Sequence, residues 1–330
     1  MFHPGPRNLI TDIAGLKVGH ATDEAVQTGV TALLSTSGWT AAVDVRGGGP
    51  GTRETEALAP ENLVGRAHAI VLAGGSVFGL AAADGVAAWL SVHGVGLQFR
   101  PGSPAIPIVP CAVLHDLGNG GGKNWGLTPP YRDLGLRASQ SAQSDFELGS
   151  VGAGRGALAG LRKGGIGSAS LDLQDGLIVG ALVAVNSVGS VLMPDGKSYW
   201  AWPFELNQEF GGVGAPQSAV DASNPSPDEA RLSAIGRLQP GNNTTIAVVA
   251  CNADLSTVEC KRIAMMAQDG IARAVRPAHT PFDGDTVFAL ASSELQLKQD
   301  VLRAAQIARI GSAAADCLAR AIARGVHFSH

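Results

Sequence analysis

The stretch Pro240-Gly241-Asn242-Asn243-Thr244 leads directly into the apolar segment Thr245–Ala250, and this junction is the most informative part of the sequence for the fold. A run of β-branched and small apolar residues of this length predicts a strand that is covered on both faces. The preceding segment, Gly211 to Gln239, is rich in Gly, Pro, Ser and Asp and lacks periodicity, which predicts an exposed connection. Thr244 is therefore expected at the mouth of a buried strand.

This position has two readings. The simpler one is a turn that closes on a strand, and the residue pattern alone favours it. The other is chemical: a threonine hydroxyl is a weak nucleophile that needs a base. If the bond between Asn243 and Thr244 breaks, the new α-amine, with a pKa of about 8, can take the hydroxyl proton. Thr244 then supplies both nucleophile and base.

Further strands and helices surround this one. Ser256 and Glu259 have the spacing of a capping box, and apolar residues after them recur at helical intervals until Pro277. Asp195-Gly196 predicts a hairpin between residues 188–193 and 198–202. Helices that flank mixed strands indicate a layered α/β protein. Strands are predicted at Thr28–Leu34, Ala69–Ala73, Leu177–Val185 and Thr286–Ala291. Helices are predicted at Val77–Val92, from the Ser256 cap up to Pro277, and at Lys298–Arg324.

Three other polar residues follow or precede predicted strands. Asp283 and Asp285, in Asp-Gly-Asp-Thr, fit an ordinary acidic turn or a pair of carboxylates that orient Thr244 and tune its amine. No third and fourth ligand at a suitable spacing supports a cation site, so no metal is expected. Asn186 ends a strand; it fits a turn-closing amide or an oxyanion donor.

Composition excludes several classes of protein. The 330 residues are 45% hydrophobic and 16% charged, with a net charge of −4 and no long basic run, which argues against nucleic-acid binding. No apolar run is long enough to span a bilayer as a helix, and no signal peptide is evident, so we expect a cytoplasmic protein without membrane contact. The glycine-rich stretches 44–51, 74–79 and 118–123 lack dinucleotide and phosphate-loop signatures, and no cofactor is expected.

A series of short motifs extends along nearly the whole chain. In order they are Ile10-Thr11-Asp12, Val18-Gly19-His20, Asp44–Gly48, Leu72–Ser76, Gly79-Leu80, Gly152–Gly154, Lys163–Gly167, Asn243–Thr245 and Asp283–Thr286. Taken together, these motifs resemble the L-aminopeptidase/D-esterase family, which includes β-aminopeptidases and 6-aminohexanoate-oligomer (nylon-oligomer) hydrolases. Within that family, Asn-Thr-Thr with Asp-Gly-Asp-Thr is most similar to the oligomer-hydrolase branch.

The resemblance implies a four-layer α-β-β-α sandwich of the self-processing N-terminal-nucleophile type, one domain cut into an α chain, 1–243, and a β chain, 244–330. It implies that Thr244 is the nucleophile, that Asp283 and Asp285 orient it, and that Asn186 is a transition-state donor. The implied substrates are small peptides or linear oligoamides, and the implied assembly is a homo-oligomer, with a tetramer of αβ units favoured.

The expected pocket residues are His115, Lys163 and Thr245. Two positions near this pocket depart from the oligomer-hydrolase pattern. His115 stands where those enzymes have a tyrosine, and Leu161 lies where they have a lysine, with Arg162 and Lys163 just downstream. Both departures bear on the substrate more than on the mechanism. Two alternatives remain open: an acyltransferase of the ornithine-acetyltransferase type, and an uncleaved protein that binds a small molecule.

Overall fold

The computed structural model describes residues 2–218, 224, 230 and 243–329. The predicted connection Gly211–Gln239 therefore falls largely outside the described residues. The helices are α1 (Ala82–Val92), α2 (Tyr131–Gln140), α3 (Thr257–Ala274) and α4 (Arg303–His327). The strands are β1 (Leu16–Asp23), β2 (Thr28–Val45), β3 (Thr52–Arg53), β4 (Arg66–Ala73), β5 (Cys111–Val113), β6 (Leu158–Ala159), β7 (Arg162–Lys163), β8 (Gly165–Asp172), β9 (Ile178–Asn186), β10 (Thr244–Ala253) and β11 (Thr286–Leu295).

Nine of these strands form one continuous sheet in the order β3-β5-β4-β2-β11-β10-β9-β8, with β1 paired to β2. The long strand β2 joins two halves of the sheet. Its first half pairs with β1 over residues 28–35, and its second half pairs with β11 over residues 40–45. Between them its pairing with β4 shifts register after Leu34 and resumes at Trp39. The irregularity lies where β2 passes from one half of the sheet to the other.

Three hydrophobic cores lie between four layers. One core packs α1 and α2 against β1, β2 and β4, and another packs α3 and α4 against β8 to β11. The third lies between the two halves of the sheet, where Leu33 and Ile70 share a core with Val248. Side chains alternate across a strand, so on β10 Val248 lies in this central core and Val249 lies in the core formed with α3 and α4. The α-β-β-α sandwich is confirmed.

Most of the predicted elements are present, with changed bounds. The capping box at Ser256 is confirmed, since its side chain accepts from the Glu259 N–H and the Glu259 carboxylate accepts from the Ser256 N–H. The strand predicted at Thr28–Leu34 extends to Val45, and the last helix begins at Arg303 rather than Lys298. The first helix starts with a 3₁₀ segment, Ser76–Ala81, before α1.

Two features differ more clearly from the sequence predictions. Helix α2 was not predicted, because its pattern is weakly apolar and Gly135 interrupts it. The hairpin around Asp195-Gly196 turns as expected, but only a single bridge, Leu192 to Tyr199, joins its arms. None of the helices among the described residues is long and apolar enough to cross a membrane.

Candidate active site

Strand directions bring the predicted site residues together. β10 runs antiparallel to β9, so its first residue, Thr244, lies opposite Asn186, the last residue of β9. β10 runs parallel to β11, so the segment that precedes β11 lies beside the start of β10. Asn243 accordingly pairs with Asp283 in an isolated parallel bridge. Residues from three distant parts of the chain thus meet at one end of the neighbouring strands β9, β10 and β11.

The peptide group between Asn243 and Thr244 is buried: Asn243 is 0% and Thr244 2% exposed. The carbonyl oxygen of Asn243 accepts a hydrogen bond from the Gly284 N–H at 3.0 Å. The Thr244 hydroxyl donates to the same oxygen. The hydroxyl of Thr244 is therefore held against the carbonyl group that precedes it, and a backbone donor is aimed at the carbonyl oxygen.

A glycine-rich loop after β2 covers this peptide group. Its Gly49 N–H donates to the Asp283 carbonyl oxygen at 2.8 Å, and its Arg46 N–H donates to the Asp285 carbonyl oxygen at 3.0 Å. A Cβ atom on Gly47 would lie 2.3 Å from the Asp283 carbonyl oxygen, and one on Gly284 would lie 2.9 Å from the Thr244 hydroxyl oxygen. Side chains at these positions are excluded by the close approach of the two loops.

The Asp283 carboxylate receives three hydrogen bonds. One oxygen accepts from the Val188 N–H at 3.1 Å; the other accepts from the Thr280 N–H at 3.0 Å and from its hydroxyl at 2.5 Å. Burial and the charge of Asp285 nevertheless raise the pKa of Asp283 above its usual range. Asp283 is therefore a stronger base than an exposed carboxylate.

Asp285 lies in a different environment. One of its carboxylate oxygens accepts from the Thr245 N–H at 2.7 Å, and the other from the backbone N–H and the imidazole Nδ1 of His279, at 3.1 and 2.8 Å. Burial lowers the pKa of His279, but the hydrogen bond and charge of Asp285 outweigh it, and a hydrogen bond to the backbone of Gln268 adds to them. The net pKa of His279 is raised. His279 and Asp285 therefore favour an ion pair.

His279 was not among the predicted site residues, because a lone histidine is more often structural. It lies six residues before Asp285 in the sequence. Its backbone adopts a left-handed conformation, with φ of 54°, in the turn that brings its side chain to Asp285. Non-glycine residues rarely adopt this conformation. The sequence offers no signal for that turn, so the contact becomes evident only in three dimensions.

Asn186 is completely buried and bridges two segments. Its side-chain oxygen accepts from the Leu158 N–H at 2.9 Å, and its amide nitrogen donates to the His115 carbonyl oxygen at 3.2 Å. One amide hydrogen of Asn186 takes part in that contact, and the second has no acceptor among the described residues. His115 thus joins the site through its backbone.

The remaining predicted pocket residues are placed differently. Thr245 joins the site through its backbone N–H, while its buried hydroxyl has no hydrogen-bond partner among the described residues. Lys163 lies on β7, paired with Leu158, and its side chain lines a separate cavity. No three His, Cys, Asp or Glu side chains of the described chain gather in the way that a metal ion requires.

Comparison with known proteins agrees with this architecture. The model of peptidase family S58 matches residues 8–330. The chain belongs to peptidase family S58. Among curated relatives, an uncharacterised aminopeptidase of Mycobacterium tuberculosis is 44% identical over 335 residues, which cover 97% of this chain and 93% of the relative. A 6-aminohexanoate-oligomer endohydrolase of Kocuria sp. is 30% identical over 304 residues, which cover 89% of this chain and 77% of the relative.

Solved structures support the fold of this S58 chain. A β-aminopeptidase from Burkholderia sp. matches with a TM-score of 0.68 at 22% identity, covering 98% of this chain and 88% of that one. The L-aminopeptidase D-Ala-esterase/amidase of Ochrobactrum anthropi, described as a variant of the Ntn-hydrolase fold, matches with a TM-score of 0.68 at 20% identity, covering 99% and 88%. The family resemblance drawn from the motifs is confirmed. The 44% relative carries an aminopeptidase name, and the oligomer hydrolase is the more distant of the two.

Proposed function

We propose that this chain is a self-processing amide hydrolase that cuts itself between Asn243 and Thr244 and then uses Thr244 as its N-terminal nucleophile. The observation that carries the proposal is the buried Asn243–Thr244 peptide group, with the Thr244 hydroxyl and the Gly284 N–H both on its carbonyl oxygen. The Gly284 contact belongs to the strand pairing, whereas a simple turn at the start of a strand does not require the Thr244 hydroxyl contact.

In the first stage, the Thr244 hydroxyl oxygen attacks the carbonyl carbon of Asn243 and loses its proton to a nearby base. The carbonyl oxygen becomes an oxyanion, which the Gly284 N–H stabilises. The C–N bond then breaks, the nitrogen takes up a proton, and Asn243 is left as an ester on the Thr244 oxygen. Water hydrolyses this ester, which yields the α chain, 1–243, and the β chain, 244–330.

In the second stage, the freed α-amine of Thr244 accepts the proton of its own hydroxyl while the oxygen attacks a substrate amide. The leaving amine departs protonated, and the acyl group stays on Thr244 until water removes it. Asn186, opposite Thr244 in the sheet, is the proposed donor to the substrate oxyanion through its available amide hydrogen.

The two aspartates have different roles in this account. Asp283, whose pKa is raised by burial and by Asp285, is suited to exchange a proton near the new amine. Asp285, paired with His279, binds the Thr245 N–H and so fixes the chain that follows the nucleophile. His279 is thus a positioning residue that acts through Asp285.

The proposed substrates are small peptides or linear oligoamides. The supporting observations are the names of two relatives, an uncharacterised aminopeptidase at 44% identity and a 6-aminohexanoate-oligomer endohydrolase at 30%. The assembly of αβ units into a homo-oligomer, with a tetramer favoured, and a cytoplasmic location also remain proposals. Native mass spectrometry of the purified protein measures the number of αβ units in the assembly.

A panel of substrates tests the activity. Matured protein is incubated with an L-amino-acid amide, a β-amino-acid amide, a D-amino-acid ester and a linear 6-aminohexanoate oligomer, and products are quantified by chromatography. We expect hydrolysis of at least one member by the wild type and none by Thr244→Ala. Hydrolysis that persists in Thr244→Ala, or a fully processed wild type that cleaves no member, contradicts the proposal. Added hydroxylamine separates hydrolysis from acyl transfer, because a transferase passes most of the acyl group to the amine.

A further inference from the structure

A cavity of about 330 Å³ is lined by the β6–β7 hairpin, by the segment 192–199 and by the C-terminal end of α4 with the residues that follow it. Two segments connect it with the Thr244 site. The hairpin carries Leu158, which contacts Asn186, and the segment that begins at Val188, which contacts Asp283, continues to the cavity wall. The wall includes Arg162, Lys163, Lys197, Tyr199, His327 and Ser329.

The charges at this cavity are of one sign. Arg162, Lys163 and Lys197 line it, no acidic residue does, and none of the three forms an ion pair with another described residue. The adjacent Asp195 directs its carboxylate to the N–H groups of its own turn. The charges of Asp195 and Glu205 act on Lys197 and Tyr199, but neither carboxylate lines the cavity.

Tyr199 adds a fixed hydrogen-bond donor. It is only 8% exposed, its ring packs edge-on against Phe210 at 5.2 Å between centroids, and its hydroxyl has no hydrogen bond to any described residue. Burial raises the pKa of Tyr199 to about 12, so the hydroxyl keeps its proton at neutral pH. Tyr199 lines the cavity, so its hydroxyl can donate to a ligand oxygen there.

We propose that this cavity binds a small polyanion that carries two or three carboxylate or phosphate groups. A single negative charge would leave two of the three cations unneutralised. The arginine guanidinium matches the two oxygens of a carboxylate or phosphate, while the two lysines act as point charges. The volume is near the lower end of ligand pockets, which begin at about 300 Å³. The inference does not depend on the proposed chemistry of Thr244.

Isothermal titration calorimetry tests the proposal with citrate, inorganic pyrophosphate and acetate as probes, at low ionic strength. We expect at least one polyanion to bind about tenfold or more tightly than acetate, and sodium chloride to weaken it. The variant Arg162→Gln/Lys163→Gln/Lys197→Gln should lower that affinity at least about tenfold, and Tyr199→Phe should lower it less. Binding of citrate alone would identify a carboxylate site, and binding of pyrophosphate alone a phosphate site. Binding of both would identify recognition of charge.

A matched control removes the same charge elsewhere. Lys17, Arg132 and Arg137 are exposed and lie outside the cavity wall, so Lys17→Gln/Arg132→Gln/Arg137→Gln should retain wild-type affinity. The proposal is overturned if neither polyanion binds more tightly than acetate. It is also overturned if the two triple variants lose affinity equally, because the effect would then reflect net charge alone.

Discussion

The amide N–H of Gly284 donates a hydrogen bond to the carbonyl oxygen of Asn243, and the two atoms lie 3.0 Å apart. This contact belongs to the parallel bridge between Asn243 and Asp283, so it follows from the pairing of β10 with β11. The same pairing that builds the sheet therefore aims a donor at the bond that we propose is cut. Preorganised backbone donors of this kind need no rearrangement when negative charge develops.

Gly284→Ala tests this arrangement. A Cβ atom there would lie 2.9 Å from the Thr244 hydroxyl oxygen and 2.7 Å from the Gly49 carbonyl oxygen, so the loops must move apart. Displacements of about 1 Å in a reacting geometry can lower rates by about 100-fold, and we expect self-cleavage to slow to that extent. Gel analysis of purified protein over time measures the rate. Gly118→Ala is the control, because nothing lies within 4 Å of its Cβ, and equal rates in both variants would refute the interpretation.

Asn186→Ala tests the second donor. If the Asn186 amide stabilises the substrate oxyanion, kcat of the matured protein should fall by about 100-fold or more. Asn252 is a matched control at the other end of β10, since it too bridges a backbone N–H, of Ile178, and a carbonyl, of Gly176. Asn252→Ala should lose structural contacts of the same kind without the loss of kcat. Equal losses in the two variants would show that Asn186 is only structural.

His279→Gln tests the ion pair by its pH dependence. A histidine whose pKa is raised in the fold contributes to the free energy of unfolding below its ordinary pKa of 6.5, and the contribution is lost as pH rises through the raised value. The stability difference between wild type and His279→Gln, measured by urea unfolding, should therefore be fully present below pH 6.5 and shrink as pH rises through the raised pKa. A difference that stays constant would exclude the ion pair.

The sequence predicts the parts of the site that depend on strand order. The buried strand after Thr244 and the strand ended by Asn186 are both visible as apolar runs, and Asp283 and Asp285 precede a third. Once the strands pair, these residues must meet. The central prediction therefore needs only local patterns together with a recognised order of motifs.

Other features depend on contacts that no local pattern encodes. The continuation of β2 through Ser35 to Trp39 follows from the central core, because those polar and glycine residues by themselves favour a turn. The role of the loop Arg46–Gly49 depends on the backbone of residues 283–285, against which it packs. His279 reaches Asp285 only through a left-handed residue. Each of these is a tertiary effect that overrides or completes a local preference.

Denaturing mass spectrometry of the purified wild type and of Thr244→Ala tests the central claim most directly. The wild type should yield two chains that divide the 33.5 kDa in proportion to residues 1–243 and 244–330, about 25 and about 9 kDa, with Thr244 as a free N-terminus. Thr244→Ala should yield one mass of the full chain. A wild type that remains a single chain after prolonged incubation, or a Thr244→Ala protein that still splits after Asn243, would contradict the account.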